Sequence, residues 1–145
     1  MAIADKVVPD CSFLAHAVLP TQQTPDAVAA LEEITVNGHT LIAPIVLFSE
    51  FPSLLRKLVN QRRMSPTEGG EFFEMFLRLA IEPIAMTRAA LQESWALATR
   101  LGQSDTFDSM AYVVAVDQGA TLWTCDRRFA NAARAAGLTS VRYFE

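Results

Sequence analysis

The chain has few of the residues that staple or anchor a protein. Two cysteines among 145 residues cannot build a disulfide framework, and neither Cys11 nor Cys125 stands in a Cys-x-x-Cys pair or near a histidine at zinc-ligand spacing. The two histidines, His16 and His39, are isolated and receive no role. No apolar stretch approaches the ~20 uninterrupted residues of a transmembrane helix, and Asp5 and Lys6 ahead of Val7-Val8 do not resemble a cleaved signal peptide, so a cytoplasmic protein is expected. Internal repeats, low-complexity segments and linkers are missing; the breaker-rich places are short, at 20–25, 37–38 and 65–70. Basic charge is scarce as well. Against 16 Asp and Glu stand 12 Lys and Arg, a formal charge of −4. That excludes gripping a nucleic acid by bulk positive charge, but not a nucleic-acid enzyme whose metal ions supply the positive charge.

What is present is apolar material, 51% of the chain. At this length roughly 70% of the unfolded surface is buried on folding, enough for one core without staples, so residues 1–145 are expected to form a single domain. Short apolar runs rich in β-branched residues predict strands at 6–10, 40–43, 82–86, 121–125 and 141–144. Helical spacing occupies 26–34, 45–61, 71–80, 87–101, 106–118 and 127–136. Strands that are apolar nearly throughout, separated by segments too long for hairpins, predict a mainly parallel five-stranded sheet covered on both faces: an α/β fold of three layers, α/β/α. Thr24-Pro25 and Ser65-Pro66 place caps before first-turn prolines, and Gly102, Gly119 and Gly137 follow helical stretches as stops. Pro52 falls inside the 45–61 pattern and must either kink that helix or mark its first turn.

Most acids sit on solvated faces, but four are embedded in or abut the apolar runs. Asp10 ends the first strand and Asp126 the fourth; Glu50 follows the second strand, and Asp108 opens the helix leading into the fourth. In a parallel sheet the carboxyl ends of strands and the starts of the following helices share one edge, where such folds bind ligands. Carboxylates crowded there raise one another's pKa and call for a cation. With no histidine or cysteine spaced to join them, the ligand set is all oxygen, which selects magnesium or manganese. Each acid also has a structural reading: Asp10 and Asp126 as helix caps, Asp108 in a capping box opened by Asp105, and Glu50 in an ion pair with Arg56, Lys57 or a distant arginine.

These residues resemble the PIN-domain ribonucleases of the VapC-like group, toxins of bacterial type II toxin–antitoxin pairs. The similarity runs through VVPDCSFLAHAVL, APIVLFSEFPSLLRKL, SDTFDSMAYVVAVDQGATLWTCDRRFANA and VRYF, and its most specific part is Asp108 followed eighteen residues later by Asp126 of a Thr-x-Asp. The resemblance implies a Rossmann-like PIN fold and an Mg2+-dependent endoribonuclease (Mn2+ as substitute, one or two ions) that hydrolyses RNA with a metal-activated water. It also implies a homodimer silenced by a cognate antitoxin protein. Carried over, Asp10, Glu50, Asp108 and Asp126 are the catalytic acids and metal ligands, with Glu50 either a ligand or a water-orienting base. Ser12, Thr124 and the extra acid Asp105 support them. Many relatives have an asparagine three places after the glutamate; here Ser53 stands there with Pro52 before it, which puts the local helix geometry in question.

Other features have weaker claims. Arg127 and Arg128 are candidates for RNA phosphates or for plain solvent exposure. The basic run Arg56, Lys57, Arg62 and Arg63 reads first as a solvated face. Phe72, Phe73, Phe76 and Leu77 exceed what one small helix must bury and suggest a protein contact. Trp95 and Trp123 are expected in the core, as are Cys11 and Cys125, inert and on neighbouring strands. Two rival functions stand beside the nuclease. A catalytically silent PIN-like binding module is opposed by the intact four acids. A receiver-type phosphotransfer domain is opposed by the lone Asp10, by Arg142 on the last strand, and by Lys6 and Lys57 being the only lysines.

Overall fold

A computed structural model describes residues 5–145. Five short strands, β1 (Lys6–Pro9), β2 (Thr40–Pro44), β3 (Glu82–Ile84), β4 (Thr121–Thr124) and β5 (Val141–Tyr143), pair in the order β3-β2-β1-β4-β5, every pair parallel. The sheet is therefore wholly parallel. Its central strands carry apolar side chains on both faces, with Val7, Val8, Ile42, Ala43 and Leu122 all buried, as a sheet covered on two sides requires.

Seven helices make the outer layers: α1 (Cys11–Val18), α2 (Pro25–Asn37), α3 (Leu47–Asn60), α4 (Pro66–Arg78), α5 (Arg88–Leu101), α6 (Phe107–Asp117) and α7 (Arg127–Ala135). Helix α1 packs on β4 with α2 beside it, while α6 lies over β1, β2 and β4 with α5 packed on it. Parallel crossovers are right-handed. The chain steps outward from β1 through β2 to β3, then returns to β4 and continues to β5 in the other direction, so the covering helices change face. The reversal falls between β1 and β4. The outer loops of that switch point form the crevice in which open α/β sheets take ligands.

Several local signals act as the sequence predicts. Ser65 accepts from the Glu68 amide at 3.1 Å while Glu68 accepts from the Ser65 amide at 3.3 Å, a reciprocal capping box. Gly102, Gly119 and Gly137 adopt φ of +68°, +64° and +75°, the left-handed exit disfavoured for other residues. Others differ. Helix α4 begins at Pro66, not at 71, because this capping box nucleates it through Gly69 and Gly70. Thr24 precedes α2 as expected, but its hydroxyl caps nothing and is buried without a partner. Pro52 lies inside α3 instead of in its first turn, so the Phe48 carbonyl lacks its usual amide donor. Trp95 is not core: at 71% exposure it stands on the outside of α5, whose buried stripe is the small residues Ala90, Ser94 and Ala98. Trp123 is buried as expected, edge-on to Phe13 and under the Arg142 guanidinium.

Candidate active site

The site is built on the two strand ends that flank the switch point. Strand β1 pairs with β4 in the register Pro9↔Trp123, and the Asp10 amide donates to the Trp123 carbonyl at 3.1 Å. Asp10 therefore leaves the sheet opposite Thr124, two residues before Asp126, and each acid turns directly into a helix. Asp10 Oδ1 accepts from the Phe13 amide at 2.7 Å and caps α1; Asp126 Oδ1 accepts from the Phe129 amide at 2.9 Å and caps α7. The capping reading of both acids is thus correct, and it leaves their second oxygens available. Asp10 Oδ2 is buried with no hydrogen-bond partner.

Two hydroxyls lock the strand ends together. Ser12 Oγ donates to Asp10 Oδ1 at 2.7 Å and accepts from the Cys125 amide at 3.0 Å. Thr124, fully buried, accepts from the Asp126 amide at 3.0 Å and lies 3.2 Å from Ser12 Oγ. One connected set of hydrogen bonds thus runs from the first acid to the fourth.

Glu50 and Asp108 come from the first turns of α3 and α6. Asp108 lies above the usual carboxylate range, chiefly through burial and then through the charges of Asp10 and Asp126, with Asp126 also hydrogen-bonded to it. Burial first, then the charges of Asp10 and Asp105, push Glu50 up to about 7. Burial likewise raises Asp10, outweighing the stabilising hydrogen bonds from Thr124, Phe13 and Ser12, and the charge of Asp126 adds to the rise. Asp10 is thus the acid the others share: Asp108 and Glu50 both feel its charge, and Asp126 bears on it and on Asp108. Glu50 makes no ion pair among the described residues.

The acids line two hollows. One, of about 170 Å³, is polar and is walled by Asp105, Asp108, Asp126, Gln103, Ser104 and Arg128. The other, of about 320 Å³, is walled by Glu50, Cys11 and Phe107 among others. Asp105 faces the first hollow and accepts from the Phe107 amide at 3.2 Å; the expected capping box with Asp108 does not form, because Thr106 and not Asp105 precedes the helix. The two arginines separate: Arg128 reaches the acidic hollow, whereas Arg127 turns to the Tyr143 hydroxyl at 3.3 Å and to Glu145. Cys11 and Cys125 are half-buried free thiols on adjoining strand ends, both pushed up to about 12 by burial and then by the acids, and so protonated and unreactive. Phe107 was not singled out from sequence, although a large apolar residue immediately before a helix-opening acid is a visible signal.

A hard divalent cation fits this donor set by its chemistry. The donors are carboxylate oxygens, one is a buried orphan, and their repulsion is what a cation relieves. Among the described residues, no group of three or more His, Cys, Asp or Glu side chains is close enough as placed to hold one ion. The acids share an edge without forming a preassembled cage, as expected where two of them spend one oxygen on a helix cap and all repel.

A doubly wound parallel sheet with acids at its switch point defines an α/β protein of the kind that places its chemistry on strand ends. Within that class, residues 7–135 match the PIN domain family, and the chain belongs to it. Solved structures with the same fold include VapBC2 from Rickettsia felis, bound to a DNA fragment from its promoter (16% identity, 97% of this chain and 99% of that one, TM-score 0.67). They also include PAE2754 from Pyrobaculum aerophilum (18%, 90% and 87%, 0.65). A third is VapC20 of Mycobacterium tuberculosis, a toxin that cleaves the sarcin–ricin loop (17%, 94% and 98%, 0.63). No curated protein matches the sequence. No helix among the described residues is long and apolar enough to cross a membrane.

Proposed function

We propose that this PIN domain is a divalent-metal-dependent endoribonuclease, the toxin of a toxin–antitoxin pair acting in the cytoplasm. The observation that carries this reading is the row of four acids, Asp10, Glu50, Asp108 and Asp126, at the β1/β4 switch point, with a buried carboxylate oxygen unpartnered. Magnesium or manganese there would acidify a water and offset the charge that develops on the leaving oxygen. Asp10, Asp108 and Asp126 would hold the ion once drawn together around it, since as placed no three such side chains are close enough to share one. Glu50, whose proton is retained to about 7, accepts a proton from the attacking water and orients it. Ser12, braced by Thr124, holds Asp10 Oδ1 and leaves Oδ2 free of any partner. Arg128 meets a phosphate of the bound strand from the acidic hollow. No covalent nucleophile is required, and the protonated Cys11 and Cys125 take no part.

The fold neighbours that are toxin–antitoxin structures support a protein partner. Exposed Phe73 and Leu77 on α4, and Leu91 and Trp95 on α5, supply apolar surface for an antitoxin and for a second copy of the chain. The test is single-stranded RNA incubated with the chain purified free of any partner, in magnesium or manganese and in EDTA. Internal cuts in the metal-containing arms and none in EDTA are expected. Absence of cutting in every arm would favour the silent binding module.

A further inference from the structure

The two hollows beside the acids differ in chemistry, and the difference gives the site a polarity. The Arg128 hollow is mainly polar. The other has apolar walls, from Val46, Leu54, Cys11 and the ring of Phe107, while Ser49, Ser53 and Lys57 carry its polar groups. At about 320 Å³ it lies at the small end of ligand pockets. Phe107 is 40% exposed at the first position of α6, one residue before Asp108, and Glu50 belongs to this hollow and to the row of acids alike.

We propose that the Phe107 hollow receives one unpaired nucleobase of the RNA, from the nucleotide adjoining the phosphodiester that is cut. Phe107 supplies the stacking face, Ser49 and Ser53 present hydroxyls to the base edge, and Lys57 sits against the neighbouring phosphate. The inference rests on the nuclease reading above and adds where substrate selection takes place. Three features select a base over other occupants. A base is flat, with apolar faces and a polar rim, matching a ring and apolar wall with hydroxyls beside it. Glu50 lines the hollow and Phe107 immediately precedes Asp108, so an occupant lies beside the acids, as the base of the reacting nucleotide would. A cation stands at the side of the hollow in a region otherwise dominated by carboxylates, as a polyanionic chain requires. An unpaired base is specified because a base inside a duplex does not offer its face.

The test is binding, measured by fluorescence anisotropy with a short labelled single-stranded RNA in calcium, for wild type, Phe107→Ala and Phe107→Trp. The same RNA is then used with each base removed in turn. Phe107→Ala is expected to weaken binding by about tenfold or more, the scale of losing one base–aromatic stack, and Phe107→Trp to restore it. One abasic position should weaken the wild type by a similar factor and leave Phe107→Ala unchanged, because ring and base act as a pair. With 40% of Phe107 in solvent, the Ala variant should remain folded with a modestly lower melting temperature, well above the temperature of the binding assay. Equal RNA binding by wild type and Phe107→Ala, in a wild type that cuts RNA, overturns the base pocket and leaves the nuclease standing. So does additive loss at every abasic position. A wild type that binds no RNA overturns both.

Discussion

Ser12 has a small side chain with a large share of the site's order. Its hydroxyl donates to the first acid and accepts from the backbone of the strand that carries the fourth. Ser12→Ala should therefore leave the fold intact, lower metal affinity and RNA cleavage by about 10- to 100-fold, the range for losing a group that orients a ligand, and be rescued in part by Ser12→Thr. Parallel metal titrations and cleavage rates check this. The acids also make stability depend on pH in an unusual sense. Glu50 rises from 4.5 to about 7 on folding, and Asp10 and Asp108 rise as well, so the folded chain binds these protons more tightly than the unfolded one. Their contribution is full below the unfolded values and is lost as pH climbs through the folded ones. In EDTA the melting temperature should fall between pH 4.5 and about 7 and beyond. Asp108→Asn should flatten that slope, and saturating magnesium should restore stability at the alkaline end; thermal melts across pH with and without metal give the answer.

At the scale of elements, α3 and α4 show what close approach requires. A Cβ on Gly69 would lie 2.7 Å from Val59 Cγ2, whereas one on Gly70 would meet nothing within 4 Å. Both glycines are helical, so alanine gains about 1 kcal/mol of helix propensity at either. At position 69 an overpacking cost of about 1–3 kcal/mol opposes the gain. Gly70→Ala should stabilise the chain by up to about 1 kcal/mol and Gly69→Ala should destabilise it by about 1 kcal/mol, read from urea unfolding. The same pair explains one limit of sequence reading. Two adjacent glycines look like a loop, and only the capping box at Ser65 and Glu68, together with the tight α3 contact, makes them helical. The short helix α1 was not bounded from sequence either, because at eight residues it follows its strand after a single residue and its capping aspartate reads equally well as a strand end. Trp95 departs from the core position its bulk suggests for a different reason. Helical period marks a face of α5, but the face turned inward carries alanine and serine because α6 packs closely there, and bulk alone misleads. By contrast, the strand positions and the placement of Asp10, Glu50, Asp108 and Asp126 at strand ends and helix starts were legible, since buried parallel strands need continuous apolar runs and any acid interrupting one stands out.

For the whole molecule, the strand order is what brings β1 against β4, and no local pattern encodes it; it follows from long-range packing of helices on two faces. The order converts four acids scattered over 117 residues of sequence, from Asp10 to Asp126, into one edge. It also gives the formal charge of −4 a location, since acids and bases balance once these four are set aside. Two divalent cations bound at that edge would cancel the four charges and remove the net repulsion toward RNA, the rest of the surface being formally neutral. The claim that this edge is a metal site is met most directly by calorimetric titration of manganese into the partner-free wild type and into Asp10→Asn. Asparagine caps helices as well as aspartate does, so the variant should fold and, in the absence of metal, melt no lower than the wild type. Saturable binding by the wild type, weakened at least about tenfold in the variant, is the result expected. Equal binding by the two proteins, or no saturable binding by the wild type, would contradict it.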